Sequence, residues 1–124
     1  MSGRTPYSRV EGLGASHSGT EHFWRERASA VALVPLTLWF ACAVFHIAGG
    51  GEEAAMGFLA QPLHAVLMIL FVVATVIHMT MGIQVVIEDY VYVEGQKIAL
   101  FLLNRAFGWL VGALCVFAIL KIAL

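Results

Sequence analysis

The segment from His78 to Tyr90, HMTMGIQVVIEDY, carries the residue types able to do chemistry: an imidazole, a glycine, two acids and a phenol. An apolar run from Ala65 to Ile77 precedes it, so His78 falls inside a stretch long enough to span a bilayer. At ~1.5 Å and ~100° per residue, Asp89 lies roughly 17 Å further along a helix axis and returns within about 20° of the His78 face. Gly82 shares that face. One stripe therefore presents an imidazole at depth, a backbone position that a bulky group can approach closely, and a carboxylate at the water boundary, with the Tyr90 phenol next to it in sequence.

Holding such a stripe at depth requires spanning helices, and the composition supplies them. Of 124 residues, 60% are hydrophobic and only 12% charged, and the charges lie mainly in the N-terminal segment and in the joints between apolar runs. That is the composition of a membrane protein. The formal net charge of -1 offers no basic patch to neutralise phosphates, which excludes nucleic acid as a partner. Cys42 and Cys115 both fall within apolar runs and lack any CxxC spacing. They read as small core residues, not as a disulfide or a metal pair.

Residues 1–27 form a polar segment, too long and too charged at its far end to lead into a cleavable signal, and it is expected to be retained on the cytoplasmic side. Gly, Ser and Thr dominate as far as Thr20, which predicts irregular chain. Residues 21–27, EHFWRER, mix aromatic, acidic and basic side chains as the interfacial start of a helix does, with Thr20 as its cap. Residues 28–124 read as a three-helix transmembrane domain. The first span is expected over Ala28–Ala48, bent at Pro35 by the loss of one backbone hydrogen bond. Gly49, Gly50, Gly51, Glu52 and Glu53 break the run. A second span is expected from Leu63 to Ile87 and a third from Ile98 to Ala123, joined by the short polar stretch EDYVYVEGQK.

Arg4, Arg9, Arg25 and Arg27 flank the start of the first span, Lys97 and Arg105 the start of the third, and only Lys121 lies at the other side. Positive residues mark the cytoplasmic face. The expected fold is an all-α membrane protein of three transmembrane helices, N-terminus cytoplasmic and C-terminus periplasmic, with Tyr90 near the cytoplasmic surface.

Each histidine also has a plainer reading. His78 can be a hydrogen-bonded packing residue, although ionisable groups at depth in a span are rare and usually functional. His46 and His64 fall near the outer ends of their spans, where a histidine simply meets water or headgroups. His17 and His22 read as solvated or interfacial. If His78 ligates a haem, the opposite ligand must stand on another helix at matching depth. His64 is on the same helix roughly 21 Å away, and His46 is at the wrong end of its span. A bis-histidine site on His78 therefore implies a partner subunit.

The spacing H-x3-G-x6-D-Y, here His78, Gly82, Asp89 and Tyr90, resembles the haem and quinone motif of the small hydrophobic membrane-anchor subunit of succinate dehydrogenase, respiratory complex II. Length and three-span layout agree. Gly19 to Trp39, GTEHFWRERASAVALVPLTLW, also resembles the beginning of the first span in proteobacterial members, with Arg27 at the position of an arginine near the quinone and haem region. The likeness runs from about Gly19 to the C-terminus. In the third span, Gly108 and Gly112 form a GxxxG pair, which more often means close helix packing than chemistry.

The resemblance implies a four-subunit complex in a bacterial inner membrane, in which a flavoprotein oxidises succinate, an iron-sulfur subunit relays electrons, and two membrane subunits bind ubiquinone and one b-type haem. This chain would be an anchor, a subunit of the oxidoreductase outside its catalytic core. On that likeness His78 supplies one axial ligand of the haem iron and a cytochrome b-type subunit supplies the other. Gly82 and Arg27 belong to the haem site, Arg27 pairing with a propionate or else marking the inside surface. Tyr90 would donate a hydrogen bond to a quinone carbonyl, and Asp89 would orient its neighbours or deliver protons. The plainer readings are an aromatic-belt anchor for Tyr90 and a solvated loop acid for Asp89. Two other classes stay open. A haem-free anchor of a fumarate reductase keeps three spans and a quinone pocket without needing His78, and a structural subunit of an unrelated membrane complex needs no Asp-Tyr pair.

Overall fold

Long apolar runs punctuated by glycine, proline and β-branched residues dictate where the helices begin and end. The computed structural model describes residues 17–124, which form α1 (His17–Ile47), α2 (Gly51–Leu59), α3 (Pro62–Tyr90) and α4 (Glu94–Ala123). Three of these, α1, α3 and α4, are long and apolar enough to cross a membrane, and no strand occurs among the described residues. The expected all-α, three-span fold is the observed one.

At 29 to 31 residues these helices are ~45 Å long, well beyond a ~30 Å hydrocarbon core. Their ends therefore stand in the headgroup zone or in water. The change from polar to apolar sequence at Ala28 falls inside one continuous helix. Thr20 is consequently an interior residue of α1 and not its cap. The expected irregularity of the first stretch, including Arg4 and Arg9, lies outside the described residues except that His17 to Thr20 are helical. Helix α1 continues through Pro35.

Two of the breaks have clear local causes. Gly50 N–H donates to the Ile47 carbonyl at 3.0 Å, and Gly51 takes φ +63°, a conformation that favours glycine. The chain then forms α2, which was expected only as a polar break. Its Glu52 and Glu53 stand in the first turn, where acids complement the helix dipole. Gln61 is extended (ψ 126°), as a residue before proline prefers, and Pro62 opens α3 where its missing N–H costs nothing.

At the other end, Val91, Tyr92 and Val93 form the whole link between α3 and α4. Val91 and Val93 are extended, as β-branched residues favour. Lys97 Nζ donates to the Glu88 carbonyl at 3.3 Å and so partners one of the orphan carbonyls at the α3 terminus.

Helix α3 is the centre of the arrangement. It packs against α1 on one side and α4 on the other, and α1 and α4 do not pack on each other among the described residues. The interior is correspondingly thin: Ala43, Ala65, Met81, Ile87 and Ile119 are its buried apolar residues. Most large apolar side chains face outward, as they do when the surroundings are lipid or other subunits.

Small residues set the α3–α4 contact. A Cβ at Gly108 would overlap Thr80 Cγ2, and one at Gly112 would meet Val76 at 3.6 Å. Buried Asn104 adds an interhelical bond, its Nδ2 donating to the Thr80 carbonyl at 2.8 Å. The GxxxG pair thus serves close helix packing, as its spacing suggests. Thr80 has little room to yield, because its hydroxyl is held at 2.8 Å from the Val76 carbonyl and 3.0 Å from that of Ile77. Gly108→Ala is therefore expected to destabilise the chain by ~1–3 kcal/mol through overpacking. Gly95→Ala, where a Cβ meets open space, should be neutral or slightly stabilising. Thermal unfolding of the purified protein in detergent checks both, and an unchanged midpoint for Gly108→Ala contradicts the packing account.

Candidate functional site

His78 stands twelve residues before the end of α3, and Ser29 stands twelve residues into the antiparallel α1. The two meet at equal depth. His78 Nδ1 lies 3.2 Å from Ser29 Oγ, and that hydroxyl also donates to the Glu26 carbonyl at 2.9 Å. Ser29 is buried, whereas the imidazole is only half-buried and forms part of the wall of a hollow of about 390 Å³. The remaining wall comes from Ala30, Leu33, Val34, Thr37 and Leu38 of α1. The result is an apolar, open-sided groove with one ring at its edge.

Gly82, one turn beyond His78, is exposed, and a Cβ there would meet nothing. No neighbour among the described residues requires glycine at that position. Arg27 is exposed, with its guanidinium carbon 4.9 Å from the centre of the Phe23 ring. On a helix, Arg27 falls within about 20° of Val34 and Leu38. It therefore shares the stripe that walls the groove, at its Tyr90 end.

Asp89 and Tyr90 complete the set at the end of α3. Both are exposed, Tyr90 to 76%, so the phenol faces the surroundings and packs little within the chain. Roughly 17 Å of helix separates this pair from His78. The structure places all four α3 residues on one helix but makes two regions of them: a groove at depth and a polar end. Glu88 belongs to the second, accepting from Gln84 Nε2 at 2.9 Å.

The other histidines do different work. His64 stacks on Phe58 with centroids 3.8 Å apart, lies 6.3 Å from Trp39, and places Nδ1 3.2 Å from the Phe58 carbonyl. It pins α1, α2 and α3 together at the end of the bundle remote from Tyr90. His46 is exposed in the last turn of α1. A larger hollow of about 720 Å³ lies between α2 and α4, with Glu53 and Lys121 in its wall, and none of the sequence-identified site residues lines it.

Sequence reasoning missed two residues. Ser29 and Asn104 are the buried polar residues of the described chain. Ser29 lies two residues after Arg27 and Asn104 is followed directly by Arg105, so neither stands out in the sequence from the charged residue near it.

A family model for the succinate dehydrogenase/fumarate reductase transmembrane subunit matches residues 1–121. The chain belongs to this family. The succinate dehydrogenase hydrophobic membrane anchor subunit of Paracoccus denitrificans is 35% identical over 120 residues, spanning 97% of this chain and 92% of that protein. The corresponding subunit of Rickettsia bellii (strain RML369-C) is 26% identical over 88 residues, 71% of this chain and 70% of its own length. The succinate dehydrogenase membrane anchor subunit of Reclinomonas americana is 30% identical over 91 residues, 71% and 76% of the two chains. No solved structure matches at a significant level. Together with the three apolar helices, these likenesses make the anchor a multi-pass protein of the bacterial inner membrane.

The residues present fit one half of a haem site. Among the described residues no three His, Cys, Asp or Glu side chains converge on a point, and His78 would meet an iron as a single ligand. An axial position asks for no more from one chain, provided a second ligand comes from elsewhere. The apolar groove and the open face at Gly82 suit a flat, apolar macrocycle, and Arg27 on the same stripe suits its carboxylates.

Proposed function

We propose that this chain is a membrane-anchor subunit of a succinate:quinone oxidoreductase, sharing a b-type haem with a cytochrome b-type subunit and forming part of a ubiquinone site. Residues 1–27 and the α3–α4 link face the cytoplasm and the C-terminus faces the periplasm, the orientation that the Lys and Arg asymmetry supports. That places Asp89 and Tyr90 on the side where a flavoprotein and an iron-sulfur subunit dock. The observation that carries the reading is the groove itself: an imidazole at mid-span on an apolar wall that no described residue fills.

His78 would hold the haem iron from one side, Gly82 would let the ring lie close to α3, and Arg27 would pair with a propionate. A bound b-type haem supplies one-electron chemistry. At the end of α3 the Tyr90 hydroxyl donates to a quinone carbonyl, where negative charge grows during reduction. Asp89, exposed beside it, is positioned to pass protons from the cytoplasm. The anchor contributes no group to succinate oxidation.

Affinity purification of the tagged chain from its native membrane tests the assignment. It should bring down a flavin-linked subunit, an iron-sulfur subunit and a second membrane subunit, with a b-type absorption signal and succinate-dependent ubiquinone reduction. Recovery of the intact complex with that turnover but without haem would favour the haem-free anchor. Recovery with unrelated subunits would leave only the structural role.

A further inference from the structure

Resting on the haem reading above, we infer that Ser29 is a positioning residue that fixes the tautomer and orientation of His78. The argument is one of counting hydrogens. A serine hydroxyl has one to give, and its two neighbours here are the Glu26 carbonyl at 2.9 Å and His78 Nδ1 at 3.2 Å. A carbonyl can only accept. The hydroxyl hydrogen therefore goes to Glu26, the shorter contact, and Ser29 Oγ meets His78 as an acceptor. His78 must then carry its proton on Nδ1, which leaves the lone pair on Nε2.

That is the tautomer an axial ligand needs. It is set from a different helix, because Ser29 belongs to α1 and His78 to α3. Ser29 is buried, so water cannot substitute for it easily. The same contact restricts rotation of the ring, and through Glu26 it ties that ring to the stretch of α1 that carries Arg27. Packing of α1 on α3 thereby registers the imidazole against the apolar wall of Ala30, Val34 and Leu38. Acceptance of the Nδ1 hydrogen also makes the ring a stronger electron donor, which favours ferric over ferrous iron.

The test compares Ser29→Ala and Ser29→Thr in the assembled complex, reading the electron paramagnetic resonance of the ferric haem and its midpoint potential. Ser29→Ala should keep the haem but shift its low-spin signal. It should also weaken ferric relative to ferrous binding about tenfold, the lower end for loss of such a partner, which is an upward move of ~59 mV for a one-electron couple. Ser29→Thr retains the hydroxyl and should stay close to the parent in both readouts. Loss of haem in Ser29→Ala with retention in Ser29→Thr also supports the role. Parent-like signal and potential in Ser29→Ala would overturn it, as would equal haem loss in both variants. Failure of the underlying haem reading looks different: the parent complex would then show no haem, or His78→Ala would keep it unchanged.

Discussion

Tyr90→Phe is expected to lower succinate-dependent quinone reduction about a hundredfold while haem content and subunit assembly stay near normal. The substitution removes one hydroxyl and almost no volume. Because Tyr90 is 76% exposed at the end of α3, loss of its hydroxyl disturbs little packing among the described residues, and a drop in turnover is not expected to come from collapse of the fold. A donor aimed at an oxygen whose charge grows in the transition state is worth ~3 kcal/mol, about two decades in rate. A belt tyrosine behaves otherwise, since phenylalanine serves tolerably at a headgroup boundary. Quinone reductase and artificial-acceptor rates measured on one preparation separate the two roles. Equal retention of both activities would move Tyr90 out of the quinone site.

His78→Ala has the other large expected effect. Loss of a hydrogen-bonded partner behind a ligand costs 10–100-fold in metal affinity, so loss of the ligand itself should remove at least tenfold of the haem per flavin. Succinate oxidation with a soluble artificial acceptor should persist, because that acceptor takes electrons before the membrane. The anchor itself should still fold. Ser29 keeps its bond to the Glu26 carbonyl when the imidazole is gone, so no buried donor is orphaned. Some loss of assembly is expected, because a group bound between two subunits stabilises their association by mass action.

The spans were legible in the sequence because hydrocarbon thickness imposes long apolar runs, and Pro62 and the glycines marked two of their boundaries. Helix α2 was not. Nine residues, GEEAAMGFL, are too short for periodicity to speak, and the surrounding glycines read as a break. The start of α1 was misplaced for a related reason: a Thr at position 20 is a good cap in isolation, but the chain before it is already helical. On α3 the common face of His78, Gly82 and Asp89 followed from the 3.6-residue repeat alone. The contact of Ser29 with His78 did not, since the residues lie 49 positions apart and only the packing of α1 on α3 brings them together. The helical repeat puts Arg27 on the stripe of Val34 and Leu38, but that this stripe walls a groove beside His78 emerged only from the packing of α1 on α3.

The reduced-minus-oxidised absorption spectrum of the purified complex, taken for the parent and for His78→Ala at equal flavin content, bears most directly on whether this chain helps to hold a haem. The parent should show a b-type signal, and the variant should lose it or retain a tenth or less. A b-type signal of parental size and position in His78→Ala would contradict the account and take His78 out of the site.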